Sequence, residues 1–183
     1  MTSTQPQPLF DNLSWMDNLK PNAVINEYLS SLQVENIEKE YALAKRFLLS
    51  YKGSQDTFNS YRREVERLCQ WSWLHQGQSI KEIDRHAMEG YFEFVQKPPK
   101  SWVSQKHSQR FIEDANGDRV PNSEWRPFLI REQRKQTGKT YDGLSQATLR
   151  AIIAGTSTFF TYLQQENYLT QNPVLLIRQK SHM

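Results

Sequence analysis

The chain has 183 residues, with 23 basic and 20 acidic side chains and a formal net charge of +3, a size that suits one domain with its own core. That balance permits nucleic-acid binding without demanding it, because net charge bears on partners and solubility rather than on fold. A single cysteine, Cys69, excludes an internal disulfide framework and fits a reducing, cytoplasmic setting. No run approaches the ~20 apolar residues of a membrane span, and MTSTQPQPLFDNL lacks the basic-then-apolar order of a secretory signal.

Residues 1–33 read as an N-terminal arm followed by a short helix. The first 21 are rich in Pro, Gln, Ser and Asn and read as a flexible arm, with Leu9, Phe10 and Trp15 able to pin it. Pro21-Asn22 opens a helix to Gln33, with Val24, Ile25, Tyr28, Leu29 and Leu32 on one side. Residues 34–173 form the main unit. In Glu35–Ser50, Ile37, Tyr41, Ala44 and Leu48 recur at helical spacing, widened by Phe47 and Leu49. Glu35, Glu38 and Glu40 at its start, and Lys45 and Arg46 later, agree with the helix dipole. Gly53 is the expected left-handed terminator.

The stretch Ser54–Gln76 is the most strongly patterned. Phe58, Tyr61, Val65, Leu68, Cys69 and Ser72 fall on one face, and Asn59, Ser60, Arg63, Arg67 and Gln70 fall opposite. Ser54-Gln-Asp-Thr57 caps its start, and Gly77 closes it. Asp84 then caps a helix to Gln96, with Ala87, Met88, Tyr91, Phe92 and Val95 inward, until Pro98-Pro99 stops it.

Residues 97–143 break the helical pattern. They hold ten basic residues (Lys97, Lys100, Lys106, Arg110, Arg119, Arg126, Arg131, Arg134, Lys135 and Lys139) and Asn116-Gly117 between RFIED and DRVPN. Asn-Gly there is a strong hairpin signal, so a short two-stranded hairpin flanked by irregular basic segments is expected, packed through Trp102, Phe111, Val120, Trp125 and Phe128.

Ser145 opens the last helix. Leu149, Ile152, Ile153, Thr156, Phe159, Phe160 and Leu163 form its core face; Ala147, Arg150, Ala151, Ala154, Thr158 and Thr161 lie opposite, with Thr148 at the edge. The small residues leave two readings: a closely packed helix, or a nucleic-acid surface near the backbone. Asn172-Pro173 ends the unit, and residues 174–183 read as a truncated linker. The expected class is all-α, a bundle of four to five helices with an inserted basic loop and short hairpin.

Signals of chemistry are sparse. His75, His86, His107 and His182 have no acid or cysteine at metal-ligand spacing, and no phosphate-cradling glycine loop or nucleophile elbow occurs. Glu64 and Glu66, and Asp114 and Asp118, read as carboxylate pairs on solvated surfaces. Neither a metal, a cofactor nor a small-molecule ligand is expected, and the chain reads as non-catalytic.

Three patterns, in order, carry a family likeness. They are Ser54-x-x-Thr57-x-x-x-Tyr61-x-x-x-Val65-x-x-Leu68 with Trp71 and Trp73; Ile83-Asp84 before Tyr91-Phe92-Glu-Phe94-Val95; and Leu144-Ser145-x-x-Thr148 leading to Phe159-Phe160-x-Tyr162-Leu163, Tyr168-Leu169 and Asn172-Pro173. Over roughly residues 36–175 the set resembles the N-terminal core-binding (SAM-like) domain of tyrosine recombinases, the phage-integrase family. The resemblance implies a helical half of a C-shaped clamp on duplex DNA at a recombination half-site, with two helices facing the major groove. It also implies a catalytic domain beyond Asn172-Pro173, absent from this stretch, that supplies the nucleophilic tyrosine, and assembly of the full protein as a tetramer on DNA.

By the same resemblance, the helices from Ser54 and Ser145 match the DNA-facing pair. The matching polar positions are Ser54, Thr57, Ser60 and Arg63, then Ser145 and Thr148. Thr57 and Thr148 would bond phosphates, where free N–H groups favour anions. Arg63 and Arg67 suit base edges or phosphates, and Asn59 and Arg150 complete the outward set. The alternatives are helix capping for the threonines and pairing with Glu64 or Glu66 for the arginines. The long 97–143 connection departs from the family pattern; it can track phosphate or reach a neighbouring protomer. From a different class, a helical protein–protein module would use the Ala147/Ala151/Ala154 stripe and the aromatic insert.

Overall fold

The computed structural model describes residues 5–16, 22–130 and 144–177. It is predominantly helical. Helices α1 (Leu13–Met16), α2 (Ala23–Leu32), α3 (Ile37–Leu49), α4 (Gln55–Gln70), α5 (Arg85–Gln96) and α6 (Gln146–Gln165) surround one apolar cluster that runs from Leu9 and Phe10 to Val174 and Ile177. Helix α4 continues through a wider π turn, Trp71–His75, before Gly77 turns the chain at φ +65°. None of the described helices is long and apolar enough to cross a membrane.

Local chemistry sets most of the helix starts. Asn22, Ser54, Asp84 and Ser145 each turn a side-chain oxygen onto backbone N–H groups of the first turn, replacing partners that the helix itself does not supply. Gly53 departs from expectation. Among the described residues the left-handed conformation is taken by Gln33, Asn36, Asn167, Gly77 and Gly117; α3 instead unwinds through overlapping turns, with Tyr51 N–H on Leu48 O and Lys52 N–H on Leu49 O.

The arm is packed rather than free where it is described. Leu9 and Phe10 are fully buried, and Phe10 stacks on Tyr41 with ring centroids 5.2 Å apart. Trp15, the third expected anchor, is 40 % exposed, with Arg119 over its ring; Met16 takes the buried place instead. The segment after α6 also docks. Asn172 Nδ2 donates to Ser157 O and Thr161 Oγ1, its Oδ1 accepts from Val174 N–H, and Val174 and Ile177 are buried.

The insert is folded around two small sheets. Its hairpin pairs β2 (Phe111–Glu113) with β3 (Arg119–Pro121) around Asn116-Gly117, with Gly117 at φ +78°. A second, parallel pair joins β1 (Val103–Ser104) to β4 (Phe128–Leu129). Two-residue strands carry no readable alternation, so this pair has no sequence signal. Trp102, Phe111, Trp125 and Phe128 are all buried. Residues 131–143, with Arg131, Arg134, Lys135 and Lys139, lie outside the described residues.

One acid holds the far end of the bundle together. Glu40, expected only to favour the helix dipole, is buried. It accepts from Trp73 Nε1 (2.8 Å), Ser79 Oγ (2.5 Å), Ile80 N–H (2.8 Å), Lys81 N–H (3.1 Å) and Tyr168 Oη (2.5 Å). A buried carboxylate is tolerable only when its lone pairs are satisfied in this way. It ties α3 to the π turn and to the chain after α6.

Candidate nucleic-acid interface

Two helix starts repeat one local structure. At Ser54, the Oγ accepts from Thr57 N–H at 3.4 Å and lies 2.9 Å from Thr57 Oγ1. At Ser145, the Oγ accepts from Thr148 N–H at 3.1 Å and again lies 2.9 Å from Thr148 Oγ1. Capping, the alternative reading of these residues, is therefore present at both. Ser54, Ser145 and Thr148 are exposed and Thr57 partly so; each start presents hydroxyls and remaining free N–H groups to solvent, the arrangement that accepts anions.

Helices α4 and α6 pack closely. A Cβ added at Gly155 would stand 3.3 Å from Glu64 Cγ, so glycine permits this approach. One turn earlier in α4, Tyr61 meets Phe47; one turn later in α6, Phe159 meets the same ring. The helices thus run in opposite directions, with the two Ser-x-x-Thr starts at opposite ends of the seam. Ser54 and Ser145 each lie ten residues from the Glu64–Gly155 contact, or about 15 Å at about 1.5 Å per residue, giving a span of up to about 30 Å.

The outward positions divide by location. Ser60 and Arg63 on α4, and Ala147, Arg150, Ala151 and Ala154 on α6, are exposed. Asn59 is half-buried and accepts from Arg62 through Oδ1. Arg67, placed on the outer face by the helical wheel, is turned into the protein. Its Nε donates to Pro127 O at 3.0 Å, its Nη1 to Glu64 Oε1 at 3.3 Å, and its guanidinium lies 4.3 Å from the Phe128 ring centre. Gln70, also expected outside, is buried between Tyr28 and the arm, with Tyr28 Oη donating to its Oε1 and its Nε2 to Gln7 O. The helical wheel misplaces both because it has no knowledge of the insert and arm that cover this half of α4.

Glu64 and Glu66 correct the reading of a solvated pair, for both are buried. Glu66 Oε2 accepts from Leu9 N–H (2.8 Å) and Phe10 N–H (3.2 Å), while Oε1 accepts from Arg110 Nε (3.0 Å). One carboxylate therefore ties arm and insert to α4. Arg119 forms a two-pronged pair with Asp11 (2.9 and 2.8 Å), and Arg126 donates to Ser123 O and Trp125 O. Half of the insert's described bases, Arg110, Arg119 and Arg126, thus have internal work; Lys97, Lys100 and Lys106 are exposed.

Cys69 is fully buried, and burial first, then the charges of Glu40 and Glu66, push its thiol up, which withholds the thiolate. Burial pulls His75 down; its ring packs on Phe94 and Trp102. Burial pushes the Tyr28 phenol up to about 12 and raises Tyr41 and Tyr168 too. Among the described residues no three His, Cys, Asp or Glu side chains are grouped to hold a metal. An open groove of about 430 Å³, lined by Ile83, Asp84, Arg85, Tyr168, Pro173 and Leu176 among others, contains none of the expected DNA-facing residues. Comparison with protein-family models, curated proteins and solved structures finds no match.

Proposed function

We propose that the chain binds duplex DNA as the non-catalytic, SAM-like core-binding domain of a cytoplasmic site-specific tyrosine recombinase. The observation that carries this reading is the repeated Ser-x-x-Thr start on two antiparallel helices, exposed at both ends of one seam. Two anion-accepting helix starts up to about 30 Å apart match the scale of one duplex turn, about 34 Å. Between them the exposed alanines of α6 let a nucleic-acid backbone approach, and Arg63 and Arg150 supply charge. Ser54, Thr57, Ser145 and Thr148 position the duplex through phosphates, and Arg63 is the candidate for a base edge. Arg67 and Asn59 support the face from within. The nucleophilic tyrosine belongs to a separate catalytic domain, the full protein works as a tetramer on DNA, and no cofactor takes part.

The test is fluorescence anisotropy with labelled duplexes. Binding that Arg63→Ala weakens about tenfold, with the melting temperature nearly unchanged, supports the reading. Unchanged affinity removes Arg63 from the interface. A protein–protein module is the second reading, favoured by Leu175 and Leu176, which are 70 % and 45 % exposed. A stable dimer in light scattering, with no duplex affinity, would select it.

A further inference from the structure

Glu64 is a carboxylate placed where a DNA-binding face would ordinarily avoid one. Its side chain is only 5 % exposed, against 52 % for Arg63 and 12 % for Arg67. Both arginines converge on the same oxygen: Arg63 Nε donates to Oε1 at 3.0 Å and Arg67 Nη1 at 3.3 Å. The other oxygen, Oε2, is buried and has no hydrogen-bond partner among the described residues. The carboxylate is wedged at the helix seam by Gly155 on one side and held by Arg67 on the other. Arg67 in turn is fixed by the Pro127 carbonyl and the Phe128 ring.

We infer that Glu64 is a positioning residue that presents Arg63 to the duplex, and that the insert braces it through Arg67. The inference rests on the DNA-binding reading and deepens it. An exposed arginine samples many rotamers and loses that freedom on binding. Holding Arg63 by Nε leaves its two terminal Nη groups to serve as a fork, suited to two acceptor atoms on a guanine edge or a phosphate. The carboxylate end of this pair is shielded from water, while the half-exposed Arg63 stays open to solvent and to salt.

The sign of the effect separates this role from simple charge. Removing a carboxylate beside a phosphate-binding face strengthens DNA binding on electrostatic grounds alone. Positioning predicts the reverse. The experiment is a duplex titration of the whole chain as wild type, Glu64→Gln, Arg63→Ala and the double variant, with melting temperatures for each. Arginine side-chain N–H exchange by NMR is followed in parallel. The expected result is that Glu64→Gln weakens binding about three- to tenfold, has no further effect when Arg63 is already alanine, and speeds exchange at Arg63 Nε. Should Glu64→Gln unfold the chain, Glu64→Asp replaces it: the shorter acid keeps the charge, loses the reach to Arg63, and is expected to weaken binding similarly. Equal or tighter binding by a folded Glu64→Gln or Glu64→Asp, or equal losses with and without Arg63, overturns the inference while leaving the DNA reading in place. A wild type that ignores duplex at low salt overturns the DNA reading itself and this role with it.

Discussion

The two halves of α4 share one helix and have opposite surroundings. From Ser54 to Arg63 the outward positions meet solvent; from Glu64 to Gln70 nearly every side chain is covered by the arm, the insert or α6. A polar residue on a helix thus has no fixed meaning by position. Arg63 and Arg67 are one turn apart with the same chemistry, yet one projects outward and the other anchors a loop. The wrapped half works by satisfying buried charge, whereas the open half leaves charge and hydroxyls available.

The wrapped half should be the more fragile. Glu66→Ala strands Arg110 and the N–H groups of Leu9 and Phe10, and the expected loss is about 3–5 kcal/mol in urea unfolding; a loss under about 1 kcal/mol would mean that arm and insert are not tied there. Phe10→Ala removes a fully buried ring stacked on Tyr41. It should cost about 3 kcal/mol by the same measurement.

Alkali should attack the same half. Tyr28, pushed up to about 12 by burial, donates to Gln70 beneath the arm. A phenol whose folded value lies above its ordinary 10 stabilises the fold fully below pH 10, and that contribution is lost as pH rises toward 12. On the order of 1 kcal/mol should be gone by pH 11. Comparing wild type with Tyr28→Phe isolates this phenol from Arg62, which burial and Arg110 pull down and which acts with the opposite sign. Identical alkaline losses in the two proteins would contradict the assignment.

The open half should respond little in stability. Ser54→Ala and Ser145→Ala each remove one cap and should cost about 1 kcal/mol. Because the two sites lie at opposite ends of the seam, the losses should add in the double variant. Each change should also weaken duplex binding, which capping by itself does not require.

Much of this division was readable from side-chain spacing, and its failures have physical causes. The helices from Asn22, Ser54, Asp84 and Ser145 announce themselves through capping residues and 3.6-residue periodicity, both of which are local. The Asn116-Gly117 hairpin is local too. Glu40, Glu64 and Glu66 escape a sequence reading because a buried acid looks like a surface acid until its donors are known, and those donors lie 33 to 128 residues away for Glu40 and Glu66. A clue was present at the end of α4. Trp71, Trp73 and Leu74 leave no wholly polar side, and a helix apolar all round is a buried one. Arg62, Glu66 and Gln70, at four-residue spacing on that end, could have been read as a buried polar row. The parallel β1–β4 pair joins segments 25 residues apart through two residues each, too short for any pattern.

Duplex affinity as a function of salt decides whether the open ends of α4 and α6 hold duplex DNA through phosphates. With about six phosphate contacts, affinity should fall roughly a thousandfold between about 50 and 200 mM salt. A flat salt response, or no duplex binding at the lowest salt, would contradict it.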